Sequence, residues 1–293
     1  MKSLHELKKE MSERGLSGYF EALAPLSKNS VSITLDVQDD DALPVGISKF
    51  GGLPDLPDGA AWFRTAELDI PMSFVAQVNF AEVVPYDLEH KLPERGMLYF
   101  FYDCSMDGMP WGFDPKDSDG WKVYFYDGDP AALSRAEAPD DLEQNDNGVI
   151  FGSARMCFEA GMELPSPESD LANDLHLPPD DATQDAYWEW LDEMEEECIN
   201  KLLGHADPVQ GGMELECEYV THQINCGTPD GYQLAKSRGL DKNAAHWNLL
   251  MQVDSNEDIG MMWGDMGRLY LWITSEDLAA RKFENSWLIL QCG

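Results

Sequence analysis

The sequence predicts an α+β protein built mainly on antiparallel sheet from two pseudo-repeated halves, with an N-terminal helix and a central helical segment. Short apolar or alternating runs are separated by Gly, Pro and Asp, which is the pattern of successive β-strands. Sequential hairpins with few helices favour antiparallel sheet over a βαβ repeat. We expect one domain over residues 1–293, with pseudo-repeats at about 45–130 and 200–293 and an acidic helical connector over 135–200.

The N-terminal segment carries Leu4, Leu7 and Met11 at near-helical spacing between charged residues. This spacing predicts an amphipathic helix over residues 3–16. After Val31, four runs have the character of strands: SITLDV, SFVAQVNF, GMLYFFYD and GWKVYFYD. We therefore expect the helix to pack against a body of sheet.

The central stretch predicts two helices. The first runs from Thr183 to Gly204, a residue type that commonly ends helices. Its apolar stripe consists of Tyr187, Leu191, Met194, Cys198 and Leu202. The second is indicated by four apolar residues at helical spacing: Met213, Cys217, Val220 and Ile224. Beyond them, WNLLMQVDS and GRLYLWI predict strands, Thr274 is a candidate cap of a short helix, and WLILQC predicts a final strand.

A strand–loop–strand unit of the first half recurs in the second half. The residues that recur in matching order are Gln77 and Tyr99 in one unit, and Gln252 and Tyr270 in the other. Each unit follows a turn rich in Gly, Pro and Asp, GGLPDLP at residues 51–57 and LLGHADP at residues 202–208. The recurrence predicts an internal structural duplication and makes Gln77 and Gln252 candidates for ligand or partner binding.

Charge is distributed unevenly along the chain. The formal net charge is -35, and residues 137–197 hold nineteen Asp or Glu against one basic residue, Arg155. Nucleic acid is not expected as a partner, because binding it requires Lys and Arg to replace phosphate counterions. The acidic stretch would attract a basic protein. A solvated surface that serves only solubility is the alternative.

The first residues lack the apolar core of a secretory signal, and no run of 18 apolar residues occurs. We therefore expect a cytoplasmic protein without membrane contact. The six cysteines are scattered without a CxxC pair, which favours reduced thiols.

One loop, DSNEDIGMMWGD, resembles a calcium loop. Asp254, Asn256, Asp258 and Asp265 fall at positions one, three, five and twelve, where calcium loops place oxygen ligands. Position six is Ile259 instead of Gly, and the flanks read as strands. The alternative is a hairpin loop whose carboxylates accept bonds from backbone amides. No cofactor other than this Ca²⁺ is indicated.

Trp111 and Trp263 lie in Gly-containing turns, MPWGFD and MMWGD. If the two turns lie side by side on one face, these side chains would line a partner or ligand cleft. Aromatic residues on strands more often fill cores, which is the alternative. No catalytic residue is predicted, because no nucleophile elbow, phosphate-binding loop or HExxH motif occurs.

Seven stretches that span nearly the whole chain carry a resemblance to a known family: SKFGGLPDLP, FVAQVNFAEV, LPERGMLYFFYD, GWKVYFYD, LLGHADPVQGGMELECE, HWNLLMQVDS and GMMWGDMGRLYLWI. Through them the sequence resembles the YwqG-like proteins of bacteria, a domain of unknown function. The resemblance implies one domain of mixed helices and antiparallel sheet, and it implies no catalytic residue. It also suggests a toxin-immunity-like role, by association alone.

The function that the sequence favours is a non-enzymatic module that binds a basic protein through its acidic surface. The alternative is a divalent-cation-dependent enzyme, or a protein that binds a small ligand in the groove between the two halves.

Overall fold

The computed structural model describes residues 2–105, 108–144, 147–172, 175, 181–194 and 199–293, with the backbone alone at positions 181, 184, 192 and 194. Within these residues the α-helices are Leu4–Glu13 (α1), Ser17–Leu23 (α2), Phe80–Val83 (α3), Asp181–Met194 (α4), Glu214–Thr221 (α5), Pro229–Ser237 (α6) and Ser275–Ala279 (α7). The β-strands there are Lys28–Val37 (β1), Lys49–Phe50 (β2), Asp55–Pro57 (β3), Ser73–Asn79 (β4), Met97–Tyr102 (β5), Trp121–Tyr126 (β6), Leu133–Arg135 (β7), Ala154–Glu163 (β8), Asn200–Leu203 (β9), Trp247–Asp254 (β10), Arg268–Thr274 (β11) and Trp287–Gln291 (β12).

Ten strands form one antiparallel sheet in the order β12-β11-β10-β9-β1-β8-β2-β4-β5-β6, and β3 pairs with β7 beside it. The centre is the β1–β8 pair, which runs from Lys28 opposite Glu163 to Val37 opposite Ala154. Outward from this pair the order is the same on both sides, since β2, β4, β5 and β6 correspond to β9, β10, β11 and β12. The fold is therefore α+β with mainly antiparallel sheet, as the sequence predicts.

The first strand of each half is exchanged across the centre of the sheet. β1 precedes β2 in the chain but pairs with β9, and β8 precedes β9 but pairs with β2. The two exchanged pairings have matching registers, because Lys201 lies opposite Ser32 of β1 and Lys49 lies opposite Arg155 of β8. Ser32 and Arg155 thus occupy equivalent positions in the two halves.

Strand β5 is buried on both faces of the sheet. The residues that face the main core are Leu98, Phe100 and Tyr102. The residues that face a smaller core, which also contains Leu56 and Leu133, are Met97, Tyr99 and Phe101. Burial on both faces explains why this run is continuously apolar instead of alternating.

Helices α1, α2 and α4 share a separate core. Its buried side chains include Leu7, Met11, Tyr19, Phe20, Tyr187 and Trp190. The Ser3 side chain accepts a hydrogen bond from the Glu6 amide, and the Glu6 carboxylate accepts one from the Ser3 amide, which fixes the start of α1. The predicted N-terminal helix is confirmed, and α4 is held against it.

The predicted helix from Thr183 to Gly204 is wrong in its second part. The described helix ends at Met194, Cys198 lies outside the described residues, and Asn200–Leu203 is strand β9. β9 lies between β1 and β10, so both of its edges find backbone partners in the sheet. Pairing on two edges outweighs a local helical periodicity.

The expected helical connector over 135–200 also contains strand β8, which the sequence analysis did not predict. Ala154, Met156 and Phe158 alternate along β8 with the exposed Arg155, Cys157 and Glu159, which is the period-2 pattern of a strand with one solvated face. The second predicted central helix is confirmed as α5, with Cys217 and Val220 buried. In the described part of the chain, no helix has both the length and the apolar character needed to cross a membrane.

Candidate functional site

The same polar arrangement occurs twice, once in each half of the sheet. We call Lys49, Asp40, Asp55, Gln77 and Tyr99 the first cluster, and Lys201, Glu163, Asp207, Gln252 and Tyr270 the second cluster. In each cluster the lysine lies opposite the glutamine on the neighbouring strand. In each, the Asp follows six residues after the lysine, in the sequence pattern Lys-x-x-Gly-x-x-Asp.

The glutamine of each cluster holds the segment that carries the Asp. The Gln77 Oε1 atom accepts from the Asp55 amide at 2.7 Å, and its Nε2 donates to Asp55 Oδ2 at 2.7 Å. The matching distances between Gln252 and Asp207 are 3.0 and 2.9 Å. Each Nε2 also donates to the carbonyl oxygen two residues before the lysine. Both glutamines are fully buried, so they position the Asp.

The tyrosines complete the same support. The Tyr99 hydroxyl donates to the Asp55 carbonyl oxygen at 2.5 Å, and the Tyr270 hydroxyl donates to the Asp207 carbonyl oxygen at 2.7 Å. The backbone and one carboxylate oxygen of each Asp are therefore held from two neighbouring strands.

A second carboxylate contacts each lysine and also binds the tight turn that follows it. Asp40 lies 2.5 Å from Lys49 Nζ and accepts the Leu53 amide at 3.0 Å. Glu163 lies 2.8 Å from Lys201 Nζ and accepts the His205 amide at 3.0 Å. In both turns this amide lies four residues after the lysine.

The turn needs glycine at one position. Gly52 has φ 65° and Gly204 has φ 75°, in the left-handed region. A Cβ at Gly52 would lie 2.3 Å from Asp40 Oδ1, and one at Gly204 would lie 2.4 Å from Glu163 Oε2. Each glycine thus leaves room for the carboxylate that binds the lysine.

Arg135 closes the first cluster. Its Nε donates to Asp55 Oδ1 at 2.6 Å, its Nη1 lies 2.9 Å from Asp40 Oδ2, and its Nη2 donates to the Leu43 carbonyl oxygen at 3.1 Å. The Asp55 side chain is fully buried beneath it. Two cations, Lys49 and Arg135, face two carboxylates, so the formal charges balance.

The second cluster is open. Lys201 Nζ lies 2.8 Å from Glu163 and 2.6 Å from Asp207, and among the described residues no other cation pairs with either carboxylate. The Asp207 side chain is 37% exposed, whereas that of Asp55 is fully buried. A cavity of about 540 Å³ adjoins the cluster, with α4 as one wall. Its lining includes Glu163, Lys201, Asp207, Ser166, Trp188 and Arg268.

The two lysines experience different electrostatic surroundings. Burial lowers the pKa of Lys49, and the hydrogen bond and charge of Asp40, with the charge of Asp55, do not offset it, since Arg135 repels the ammonium. Burial also acts to lower the pKa of Lys201, but the charges of Asp207 and Glu163 outweigh it and raise that pKa well above its usual range. Burial, with repulsion from Asp207, raises the pKa of Glu163. The second cluster therefore carries more negative charge than its lysine balances.

His205 also lines the cavity. Burial, together with the charges of Lys28 and Lys201, lowers the pKa of His205 far below its usual value, so the ring is neutral. Its Nε2 atom lies 2.7 Å from the Leu26 carbonyl oxygen, which only accepts, so Nε2 carries the proton. The arrangement can therefore hold a cation but offers no protonated imidazole of its own.

The structure corrects the prediction for Trp263. This side chain is 1% exposed, packs edge-on against Tyr102 and Phe151, and donates to the Asp254 carbonyl oxygen at 3.2 Å. Trp111 is 38% exposed. The two Gly-containing turns therefore do not present a pair of surface tryptophans, because the second turn folds its ring into the core.

The predicted calcium ligands do not converge either. Asp254 pairs with Arg268 at 3.1 Å and accepts from the Ile199 amide at 2.8 Å, and Asn256 caps the following turn. Asp258 and Asp265 are exposed. Within the described ranges, no group of three or more His, Cys, Asp or Glu side chains could hold a metal ion. The loop matches the alternative, a hairpin whose polar side chains bind backbone amides.

Sequence reasoning missed the lysines and their carboxylates. The available signal was the pattern Lys-x-x-Gly-x-x-Asp, which occurs at residues 49–55 and again at 201–207. The sequence comparison that sets 51–57 against 202–208 is one residue out of register. Lys49 and Lys201 occupy equivalent positions in the structure, so residue 51 corresponds to residue 203. No spacing signal exists for Asp40 and Glu163, which precede their lysines by nine and 38 residues.

The fold and its two clusters define an α+β protein with one large antiparallel sheet and a polar site that occurs twice. The family model described as a domain of unknown function, DUF1963, matches residues 48–292, and the chain belongs to this family. The matched segment includes both lysines, both glutamines and both tyrosines of the clusters. No curated protein matches the sequence.

Proposed function

We propose that this protein is a non-enzymatic binding module for a basic protein, and that the partner docks on the face formed by α4 and the second cluster. The observation that carries the proposal is the unbalanced second cluster, in which two carboxylates share one lysine beside an open cavity. A cationic group on a partner would supply the missing charge.

The charge around the cavity supports the same proposal. Helix α4, which forms one wall, exposes Asp185, Glu189 and Glu193. The whole chain has a formal net charge of -35. Such a surface accelerates encounter with a basic partner, and the effect weakens as salt screens it.

Further parts of the proposal rest on the sequence. The motif stretches support a resemblance to the YwqG-like bacterial proteins, and a cytoplasmic site of action forms part of the proposal. The matched sheet order and the matched clusters favour an internal duplication. Neutralising a basic toxin is one form that such binding would take.

The test compares two variants with the same change in net charge. Asp185→Lys/Glu189→Lys alters the exposed face of α4, the helix that forms one wall of the cavity, and Asp58→Lys/Glu67→Lys alters exposed loops of the first half. Each is used to capture partners from a lysate of the source organism at low and high salt, followed by mass spectrometry. At low salt we expect the unaltered chain and the loop variant to retain a basic protein. We expect the α4 variant to lose that protein.

Equal retention by both variants would contradict the proposed face. A captured protein that resists high salt and carries no basic surface would contradict the electrostatic mechanism.

A further inference from the structure

The groups that bind Arg135 in the first cluster have counterparts in the second cluster. Because Ser32 and Arg155 are equivalent positions, Asp40, eight residues after Ser32, corresponds to Glu163, eight residues after Arg155. By the same count, Leu43 corresponds to Ser166. Asp55 corresponds to Asp207 through the glutamine contacts. The three residues that accept from the Arg135 guanidinium therefore map onto Asp207, Glu163 and Ser166. The Ser166 carbonyl oxygen accepts from the Ser169 amide at 3.0 Å and keeps a second lone pair for a further donor.

All three counterparts line the cavity. The Oδ2 atom of Asp207 contacts Gln252 and Lys201, whereas its Oδ1 receives no hydrogen bond from the part of the chain that the structure describes. Oδ1 is the atom through which Asp55 binds Arg135. No described strand pairs with residues 207–209 in the way that β7 pairs with β3 and brings Arg135 into place.

The other cations along the cavity wall already have partners. Lys2 pairs with Glu10 at 2.5 Å. Arg268 pairs with Asp254 at 3.1 Å, and its Nη1 donates to the Asp207 carbonyl oxygen at 3.1 Å, so it contacts the Asp207 backbone and not its carboxylate. Relative to the first cluster, the second therefore lacks one cation at one defined place.

We propose that the cavity receives the guanidinium group of an arginine side chain, which binds Asp207, Glu163 and the Ser166 carbonyl oxygen as Arg135 binds Asp55, Asp40 and the Leu43 carbonyl oxygen. This proposal rests on the proposed function, since the arginine belongs to the basic partner. In the first cluster, Arg135 occupies the position that the partner's arginine would take in the second cluster.

Arginine suits this site better than lysine. A guanidinium is a planar fork of five donors, so it reaches several acceptors at once, whereas an ammonium acts as a point charge. Arg135 uses Nε, Nη1 and Nη2 on three different residues. Trp188 also lines the cavity, and guanidinium groups pack favourably on aromatic faces.

The experiment is calorimetric titration of the full chain with N-acetyl-arginine amide and with N-acetyl-lysine amide at low salt. We expect the arginine compound to bind about tenfold more tightly than the lysine compound, because it forms additional charge-assisted hydrogen bonds. Asp207→Asn should weaken arginine binding about tenfold or more. The matched control, Asp258→Asn, removes the same charge from an exposed loop and should leave binding unchanged.

A second variant covers the case in which Asp207→Asn fails to fold. Ser32 lines the cavity opposite Lys201, so Ser32→Phe narrows it without altering any charge, and we expect it to abolish arginine binding. Undiminished binding in Ser32→Phe, or equal affinity for the arginine and lysine compounds, would overturn the proposal.

The outcomes also separate this proposal from the proposed function. If neither compound binds while the charge-dependent capture of a basic protein persists, the arginine site is wrong and the binding module stands. If the arginine compound binds as expected but the α4 variant captures its partner normally, the proposed docking face is wrong. Free L-arginine binding tenfold more tightly than the capped compound would assign the site to a small molecule and overturn the protein origin of the arginine.

Discussion

At the scale of single residues, Arg135 decides the difference between the two clusters. It neutralises Asp55, which is fully buried, and bridges to Asp40, whose side chain is 21% exposed. Burial acts to lower its pKa, but the hydrogen bond and charge of Asp55 outweigh this and raise the pKa. Removing the guanidinium would leave the buried Asp55 carboxylate without its paired arginine, although its other polar contacts would remain.

Replacing Arg135 with Ala should therefore be strongly destabilising. We expect a loss of about 3 kcal/mol in the free energy of unfolding, because breaking a buried ion pair leaves an uncompensated charge. Urea denaturation followed by tryptophan fluorescence measures it. Arg95→Ala, which removes an arginine that is 78% exposed in its pair with Asp127, is the control and should change little. Similar losses in both variants would contradict the role assigned to Arg135.

His205 makes stability depend on pH. The folded protein keeps this histidine neutral, and burial places its pKa far below the ordinary 6.5. Acidification protonates the histidine in the unfolded chain first, so its contribution to stability is present above pH 6.5 and is lost as the pH falls.

We expect His205→Gln to remove about 1.4 kcal/mol of the difference in unfolding free energy between pH 7.5 and pH 5.5. This is the free energy that corresponds to one proton taken up by the histidine in the unfolded state alone. Urea titrations of both proteins at the two pH values provide the comparison. The exposed His90→Gln is the control and should leave the pH dependence of the unaltered chain in place. A parallel pH dependence in His205→Gln and the unaltered chain would rule out this assignment.

At the scale of elements, the turn after each lysine strand is determined by contact and not by backbone angle alone. Gly204 and Gly239 have nearly the same φ, 75° and 74°. A Cβ at Gly239 would meet nothing within 4 Å, whereas one at Gly204 would meet the Glu163 carboxylate and Ser30. Substitutions at these two glycines therefore distinguish the free-energy cost of the left-handed backbone from the cost of the steric clash.

Gly239→Ala should cost about 1 kcal/mol for the left-handed conformation. Gly204→Ala should cost clearly more, about 3 kcal/mol, because it also displaces the carboxylate that binds Lys201. Chemical denaturation of the two variants under identical conditions gives the difference. Equal costs would mean that the carboxylate moves aside without loss, contrary to the proposed geometry.

At the scale of the whole molecule, the exchange of β1 and β8 joins the two halves. Neither half contains all the strands that its own lysine strand pairs with, since β9 needs β1 and β2 needs β8. A sheet that is continuous through its centre should unfold as one unit.

We expect destabilisation in one half to appear in both. In hydrogen exchange followed by mass spectrometry, Arg135→Ala should lower the protection of β10 and β11 by the same free energy as that of β4 and β5, because the slowest amides exchange through global unfolding. The matched variant in the other half is Gly204→Ala. Loss of protection confined to the half that carries the substitution would show that the halves unfold separately.

The sequence by itself determined the fold class, the N-terminal helix, helix α5 and most outer strands, because each depends on a periodicity contained within one element. It also revealed the recurring glutamines and tyrosines, although not what they hold. Gln77 and Gln252 were predicted to bind a ligand or partner, and in the structure their side chains hold Asp55 and Asp207 through hydrogen bonds.

Only the tertiary structure decided that residues 200–203 form a strand, that Trp263 lies in the core, and that Lys201 shares Glu163 and Asp207. Each of these depends on contacts between residues far apart in the chain, such as β9 with β1 and Lys201 with a carboxylate 38 residues earlier. Local patterns do not encode such contacts, since strand pairing and burial are set by the elements that meet in space. The imbalance between the clusters has the same origin, because Arg135 reaches Asp55 from 80 residues away.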